Sequence, residues 1–96
     1  MKIKKTKRGF AIGEFADRDK TKCSVQKSSL ATDDCIWLGV DNANPVVMNK
    51  KGKFEKVKLP KDTICTTRMH LTRKQVKELL PVLELFVECG DLTIFD

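Results

Sequence analysis

The sequence of 96 residues contains no tyrosine, one tryptophan and one histidine, and aromatic residues make up only 6% of it. Any Ser-His or Cys-His mechanism would have to use His70, and no nucleophile accompanies this residue in a recognisable motif. A phosphate-binding glycine loop is also missing. The sequence therefore predicts a protein that is not an enzyme, with no catalytic residue and no cofactor. An enzyme using His70 is the alternative.

Closely spaced cysteine pairs are absent too. The nearest combination of possible zinc ligands is Cys65 with His70, a spacing too loose to indicate a metal site. Without a C-x-x-C motif or a secretory signal, free buried thiols are the expected state. We therefore expect no metal ligands among the four cysteines, Cys23, Cys35, Cys65 and Cys89.

Long apolar runs are missing as well. The longest run of apolar and proline residues is Leu79 to Leu83, whereas a membrane-spanning helix needs about 20 residues. No continuous apolar segment follows the basic start of the chain, as it would in a signal peptide. The expectation is a cytoplasmic protein without a membrane partner.

Positive charge is abundant but unevenly distributed. The net charge is +6, with +5 in residues 1–8 and +4 in residues 49–62. Such clusters attract nucleic acid or the acidic face of a protein. The alternative is solvated charge without a partner. Lysine greatly outnumbers arginine, and both this and the low aromatic content argue against sequence-specific reading of bases.

Apolar residues recur at three- and four-residue steps near the C-terminus, which predicts an amphipathic helix over residues 72–89. Thr72 and Gln75 have the spacing of a capping box. Gly90 suits the left-handed position that ends a helix. The predicted apolar stripe consists of Val76, Leu79, Leu80, Leu83, Phe86 and Val87.

Basic residues surround the predicted start of this helix. The free N–H groups of the first turn and the neighbouring positive charges could bind phosphate or the carboxylates of a partner. A solvated basic turn paired with acids elsewhere is the alternative. The candidate anion-binding residues are Arg68, His70, Arg73 and Lys74.

Alternating side chains predict strands before the helix. Gly9–Ala16, with a bulge near Gly13, and Thr21–Ser29 form a predicted β-hairpin. The apolar run Cys35–Val40 is predicted to be the central strand. Its Trp37 is either an anchor of the core or an exposed platform on which a base or a partner stacks.

A second hairpin with a basic tip is predicted at residues 44–61, around a turn at Asn49–Gly52, and neither of its sides is cleanly apolar. We expect it to project from the domain. Its candidate partner-binding residues are Lys50, Lys51, Lys53, Lys56 and Lys58. Short strands are also predicted at Thr63–Thr67 and Leu92–Phe95, and residues 1–8 form either a flexible basic arm or the start of an edge strand.

These elements predict one α+β domain over residues 1–96. An antiparallel sheet of about four to six strands would carry the long amphipathic C-terminal helix packed across it.

Three stretches resemble a group of small proteins encoded by tailed bacteriophages. They are RGF near the start, KCSVQKSSLATDDCIWLG, and RMHLTRKQVKELLPVLELFVECGDL. The resemblance covers Gly9–Gly39 and Arg68–Leu92. The second hairpin, at residues 44–61, lies outside it and resembles an insertion. The resemblance implies a phage accessory protein acting in the cytoplasm of the host cell.

In that setting, we expect a non-catalytic protein that inhibits or sequesters a bacterial host factor. The partner would be a host protein or nucleoprotein, such as a CRISPR-like or nucleotide-signalling defence system, bound through the lysines of the basic hairpin. One alternative is non-specific nucleic-acid binding through both basic clusters. Another is a homo-oligomeric sponge for a small nucleotide, with its site near the start of the helix.

Overall fold

A computed structural model describes residues 1–93 of the chain. Within that range, seven strands precede one helix, and the α+β class is confirmed. The elements are β1 (Ile3–Lys5), β2 (Ala11–Ala16), β3 (Lys22–Lys27), β4 (Cys35–Val40), β5 (Val46–Met48), β6 (Phe54–Lys56), β7 (Arg68–Thr72) and α1 (Arg73–Cys89).

Five of the strands form one antiparallel sheet in the order β1-β2-β3-β4-β7. The hairpin of β2 and β3 is confirmed, and β4 is an interior strand between β3 and β7. Residues 3–5 of the basic N-terminal segment pair with β2, so this part of the segment is an edge strand. The other edge is β7, the strand that leads into the helix.

Strand register divides the side chains of the sheet between two faces, because successive residues of a strand point to opposite sides. One face, which we call the polar face, is centred on the cross-strand row Gln26, Trp37 and His70. The other, the apolar face, is centred on the row Val25, Leu38 and Met69.

Gly13 does not form the predicted bulge, since its pairing with both neighbouring strands is regular. The glycine is needed because side chains of the N-terminal segment lie directly over it. A Cβ atom at Gly13 would contact the sulfur of Met1 and lie 2.8 Å from Cδ1 of Ile3. Met1 and Ile3 thus cover this end of the apolar face.

Helix α1 begins and ends as predicted. Thr72 is the N-cap, and its hydroxyl accepts a hydrogen bond of 3.2 Å from the backbone N–H of Gln75. The Gln75 side chain accepts one of 2.9 Å from the N–H of Thr72, which completes the capping box. Gly90 ends the helix with φ of 75°, and Pro81 lies within it.

The packing of α1 differs from the expectation that it lies across the sheet. None of its residues is buried, and Leu80, Leu83 and Phe86 are each about half exposed. The reason lies in the preceding strand, which forms at 68–72 rather than at the predicted 63–67. Strand β7 therefore passes into the helix without a loop, and the chain has no residues with which to turn back over its own sheet.

The second hairpin forms a separate two-stranded sheet of β5 and β6, as its pattern predicts. Asn49 organises the turn, because its side-chain oxygen accepts hydrogen bonds from the N–H groups of Lys51 (2.9 Å) and Lys53 (3.0 Å). Its side-chain amide also donates to Glu55 at 2.8 Å.

The predicted strand at Leu92–Phe95 falls partly outside the described residues, and Leu92 and Thr93 are not in a strand. No helix within residues 1–93 has the length and apolar character needed to cross a membrane.

Gly39 should be essential for the pairing of β4 with β7. Its φ is 148°, and a Cβ atom there would lie 2.9 Å from the carbonyl oxygen of Thr67 and 3.0 Å from Cα of Arg68. Gly52 has a φ of 75°, and a Cβ atom there would meet no other atom within 4 Å, so Gly52→Ala is a control at a positive-φ glycine without the steric contact. Gly39→Ala should lower the free energy of unfolding in urea by about 1–3 kcal/mol more than Gly52→Ala. Equal losses would contradict the steric role.

Candidate functional site

Arg68 is the charged centre of the polar face. Its Nη1 donates hydrogen bonds to the side-chain oxygen of Gln26 (2.8 Å) and to the hydroxyl of Ser24 (3.1 Å), two residues of β3. The Ser24 hydroxyl in turn lies 2.5 Å from a carboxylate oxygen of Asp41. Ser24 is 1% exposed, so the guanidinium is held against a fixed support.

Next to this arginine, Trp37 and His70 form a stacked pair across β4 and β7. Their ring centroids are 3.8 Å apart and their planes differ by 6°. Nε2 of His70 lies 2.9 Å from the hydroxyl of the buried Ser28, which orients the imidazole. The guanidinium carbon of Arg68 is 5.9 Å from the Trp37 ring centroid. Trp37 is only half-buried, so it is a side chain of an open face and not an anchor beneath the helix.

A cavity of about 290 Å³ opens beside this group. Trp37, Asp41 and Arg68 line it, together with the segment Cys65–Thr67 that precedes β7. The Thr67 hydroxyl donates to the carbonyl oxygen of Asp41 at 3.4 Å, which joins the segment to the sheet. The cavity is close to the smallest size usual for ligand pockets.

The chemistry of this site suits a ligand that is both planar and anionic. Both side-chain hydrogen bonds of Arg68 within residues 1–93 use Nη1, so the donors on Nη2 and Nε can meet phosphate oxygens. His70 occupies one face of the Trp37 indole, so a base can stack only on the other face. Asp41 provides carboxylate oxygens that accept hydrogen bonds from hydroxyl groups.

The four predicted anion-binding residues do not form one group. Arg68 and His70 both lie on the polar face, two residues apart on β7. Arg73 instead lies near Asp34, with 3.7 Å between Nη1 and a carboxylate oxygen, and Lys74 is exposed on the helix. Arg73 also lines an open groove of about 600 Å³ between the start of α1 and strands β4 and β7.

The predicted partner-binding lysines all lie on the second hairpin or just after it. Each is exposed to solvent, and none forms an ion pair within the described part of the chain. They are Lys50, Lys51, Lys53, Lys56 and Lys58.

Metal chemistry has no candidate ligand set in residues 1–93, where no group of three His, Cys, Asp or Glu side chains converges. All four cysteines are free thiols, but the expectation that they are buried holds only for Cys23 and Cys35. It is wrong for Cys65 and Cys89, which are exposed.

The network around Arg68 was not found from the sequence. Ser24 and Gln26 are distant from Arg68 along the chain, and only the strand register brings them to it. Asp41 joins the network through its hydrogen bond with Ser24. One signal was available, because Arg68 and His70 alternate with Met69 and Leu71 as in a strand with one polar face. The strand was instead predicted at Thr63–Thr67, so this alternation was missed.

Comparison with known proteins adds no further assignment, since no family model, curated protein or solved structure matches the chain.

The charge interactions in the groove at the start of α1 can be tested through the pKa of Asp34. The pKa of Asp34 lies below its usual value of 3.8, chiefly because Lys27 donates a hydrogen bond to the carboxylate and adds its positive charge, with a smaller contribution from Arg73. Lys27→Met should raise the pKa of Asp34, and Arg73→Met should raise it less. Carboxyl carbon shifts in an NMR pH titration measure both.

The sign of the accompanying stability change follows from the direction of that shift. Because the pKa of Asp34 is lower in the folded chain than in the unfolded chain, the interaction stabilises the fold above the unfolded value and is lost as the pH falls through the folded value. An unchanged Asp34 pKa in Lys27→Met would contradict the assignment.

Proposed function

We propose that the protein is a non-catalytic binding protein that captures a nucleotide on the polar face of its sheet. The observation that supports this most directly is that Trp37, which is stacked on His70, lines a cavity together with Arg68 and Asp41. The resemblance to bacteriophage accessory proteins supplies the setting, in which a captured nucleotide is withheld from the host cell.

Each part of a nucleotide has a matching group in this arrangement. The base stacks on the indole face of Trp37 opposite His70, the phosphate accepts hydrogen bonds from Arg68, and the ribose hydroxyls donate to Asp41. Ser24 and Gln26 hold the guanidinium in place before the ligand arrives, so less conformational entropy is lost on binding. The Ser28 hydroxyl lies 2.9 Å from Nε2 of His70, but Ser28 is only 4% exposed, so it orients the imidazole and is poorly placed to attack a bound ligand.

Binding can be measured directly, because Trp37 is the only tryptophan and reports from within the site. Titration with mono- and dinucleotides should change its fluorescence. Arg68→Met should weaken binding by about 10- to 100-fold, because a hydrogen bond to a charged group contributes about 1.5–3 kcal/mol. Isothermal titration calorimetry gives the same constants without relying on fluorescence.

Arg18→Met is the matched control. The Arg18 side chain is 94% exposed, and it pairs only with the neighbouring Asp19 among residues 1–93. This variant removes the same charge and should bind nucleotides as the unaltered protein does. If Arg18→Met and Arg68→Met lose affinity equally, the effect is net charge rather than a site. If no nucleotide binds at millimolar concentration, the proposal fails.

A second candidate function is capture of a host protein through the second hairpin. The hairpin exposes apolar side chains as well as lysines, and Val47, Met48 and Phe54 are 53%, 60% and 69% exposed. An isolated two-stranded hairpin is only marginally stable in water, so a partner that covers these side chains would stabilise it. The lysines would select an acidic surface.

Charge reversal on the second hairpin distinguishes capture of a host protein from nucleotide binding on the polar face. The experiment captures host proteins from nuclease-treated bacterial lysate on the tagged protein. The triple variant Lys50→Glu, Lys51→Glu and Lys53→Glu should no longer capture the partner, because the introduced carboxylates repel an acidic surface. Reversal of Lys2, Lys5 and Lys7 changes the net charge equally and is the control. Equal capture by both triple variants would rule out the hairpin. Capture that nuclease or high salt abolishes would instead indicate nucleic-acid binding.

A further inference from the structure

The chain leaves far more surface exposed than a folded monomer of its size. Its accessible area is 8732 Å², whereas a compact protein of 10.9 kDa exposes about 5,600 Å². Its radius of gyration is 17.2 Å, against about 12.5 Å for a compact domain of this length. Of the apolar side chains within residues 1–93, only those of Cys23 and Cys35 are buried. Most of the apolar surface is therefore not covered by other residues of the same chain.

Much of this surface lies on the later turns of α1. Leu80, Leu83 and Phe86 are 49%, 47% and 53% exposed, and Val87 is 84% exposed. These residues form the apolar stripe of an amphipathic helix, a feature that ordinarily packs against a core. Here the helix meets its own sheet only near its start, where Val76 and Leu80 line the groove with Ile36 and Leu71.

The apolar face of the sheet is the second uncovered surface. Met69 is 53% exposed, Phe15 is 37% exposed, and Val25 and Leu38 are only half-buried. In a two-layer α+β domain, a helix covers such a face. The helix of this chain cannot do so, because β7 passes directly into α1 at Thr72 without a loop.

We infer that two copies of the chain associate about a twofold axis, with α1 of each copy lying on the apolar sheet face of the other. The two uncovered surfaces are complementary in chemistry, one a stripe of large aliphatic and aromatic side chains and the other a flat apolar sheet. Reciprocal exchange covers both surfaces of both copies at once, which a twofold interface requires.

The size of the uncovered surface agrees with this arrangement. Each chain exposes about 3,100 Å² more than a compact monomer would. Obligate homodimers bury about 2,000–5,000 Å² in total, or about 1,000–2,500 Å² from each chain. The excess is therefore large enough for such an interface, and the projecting second hairpin accounts for part of the remainder. A direct strand-to-helix junction is also the kind of connection that favours exchange between copies.

Light scattering after size-exclusion chromatography tests the association. The full chain should elute with a mass of about 22 kDa, twice that of one chain. Leu83→Glu, on the helix stripe, and Met69→Lys, on the apolar sheet face, should each give a particle of single-chain mass at micromolar concentration. Met48→Glu, which places a charge at an equally exposed apolar residue of the second hairpin, should remain a dimer.

Mixing the two monomeric variants tests the exchange itself. A heterodimer of Leu83→Glu with Met69→Lys regains one unaltered helix-on-sheet contact and places opposite charges in the other, so the mixture should return to the mass of a dimer. Recovery also shows that both variants are folded.

Three results would overturn the inference. The first is a single-chain mass for the unaltered protein, and the second is a mixture that stays monomeric. The third is a Met69→Lys protein that remains dimeric while Leu83→Glu does not, since that result means helix packs on helix. Nucleotide titration of the unaltered protein tests the proposed function on its own, because neither Leu83 nor Met69 contributes a side chain to the polar face.

Discussion

The direct junction between β7 and α1 is the constraint from which the rest of the structure follows. Thr72 is both the last residue of the strand and the N-cap of the helix, so strand pairing and the capping box together set the direction of α1. A helix that packs on its own sheet needs a connection in which the chain turns. With none present, α1 leaves the sheet, and the apolar side chains of both elements stay uncovered.

Strand β7 contributes side chains to both faces of the sheet, because polar and apolar residues alternate regularly along it. Arg68 and His70 point to the polar face, where they meet Trp37, while Met69 and Leu71 point to the apolar face. Gly39 permits this pairing, since a side chain there would meet the backbone of β7 at Arg68. An edge strand held on only one side thus carries the charged centre of the candidate site and part of the uncovered apolar surface.

Local features could be predicted from the sequence, whereas features that depend on register could not. The capping box at Thr72 and Gln75 and the left-handed Gly90 involve residues a few positions apart, and all were predicted correctly. The second hairpin followed from a turn sequence for the same reason. The network around Arg68 joins residues more than 40 positions apart, and no local pattern specifies which of them pair.

The position of the helix shows the same limit on a larger scale. Its apolar stripe was identified correctly, and a stripe of that kind predicts burial against something. Whether the sheet of the same chain can supply the surface depends on how many residues separate strand from helix. The predicted strand at 63–67 left room for a turn, and the observed strand at 68–72 leaves none. An error of five residues in one strand therefore changed the expected partner of the whole helix.

The two proposed interactions meet at β7, on opposite faces of one strand. If a second copy that covers Met69 restricts the motion of this edge strand, a ligand that binds at Arg68 loses less conformational entropy. Linkage then requires the reverse effect, in which a bound ligand strengthens the association of the two copies by the same factor. The coupling needs no movement of the helix, because adjacent residues of a strand share one backbone. The affinity of a site on an edge strand then depends on what packs against the opposite face of that strand.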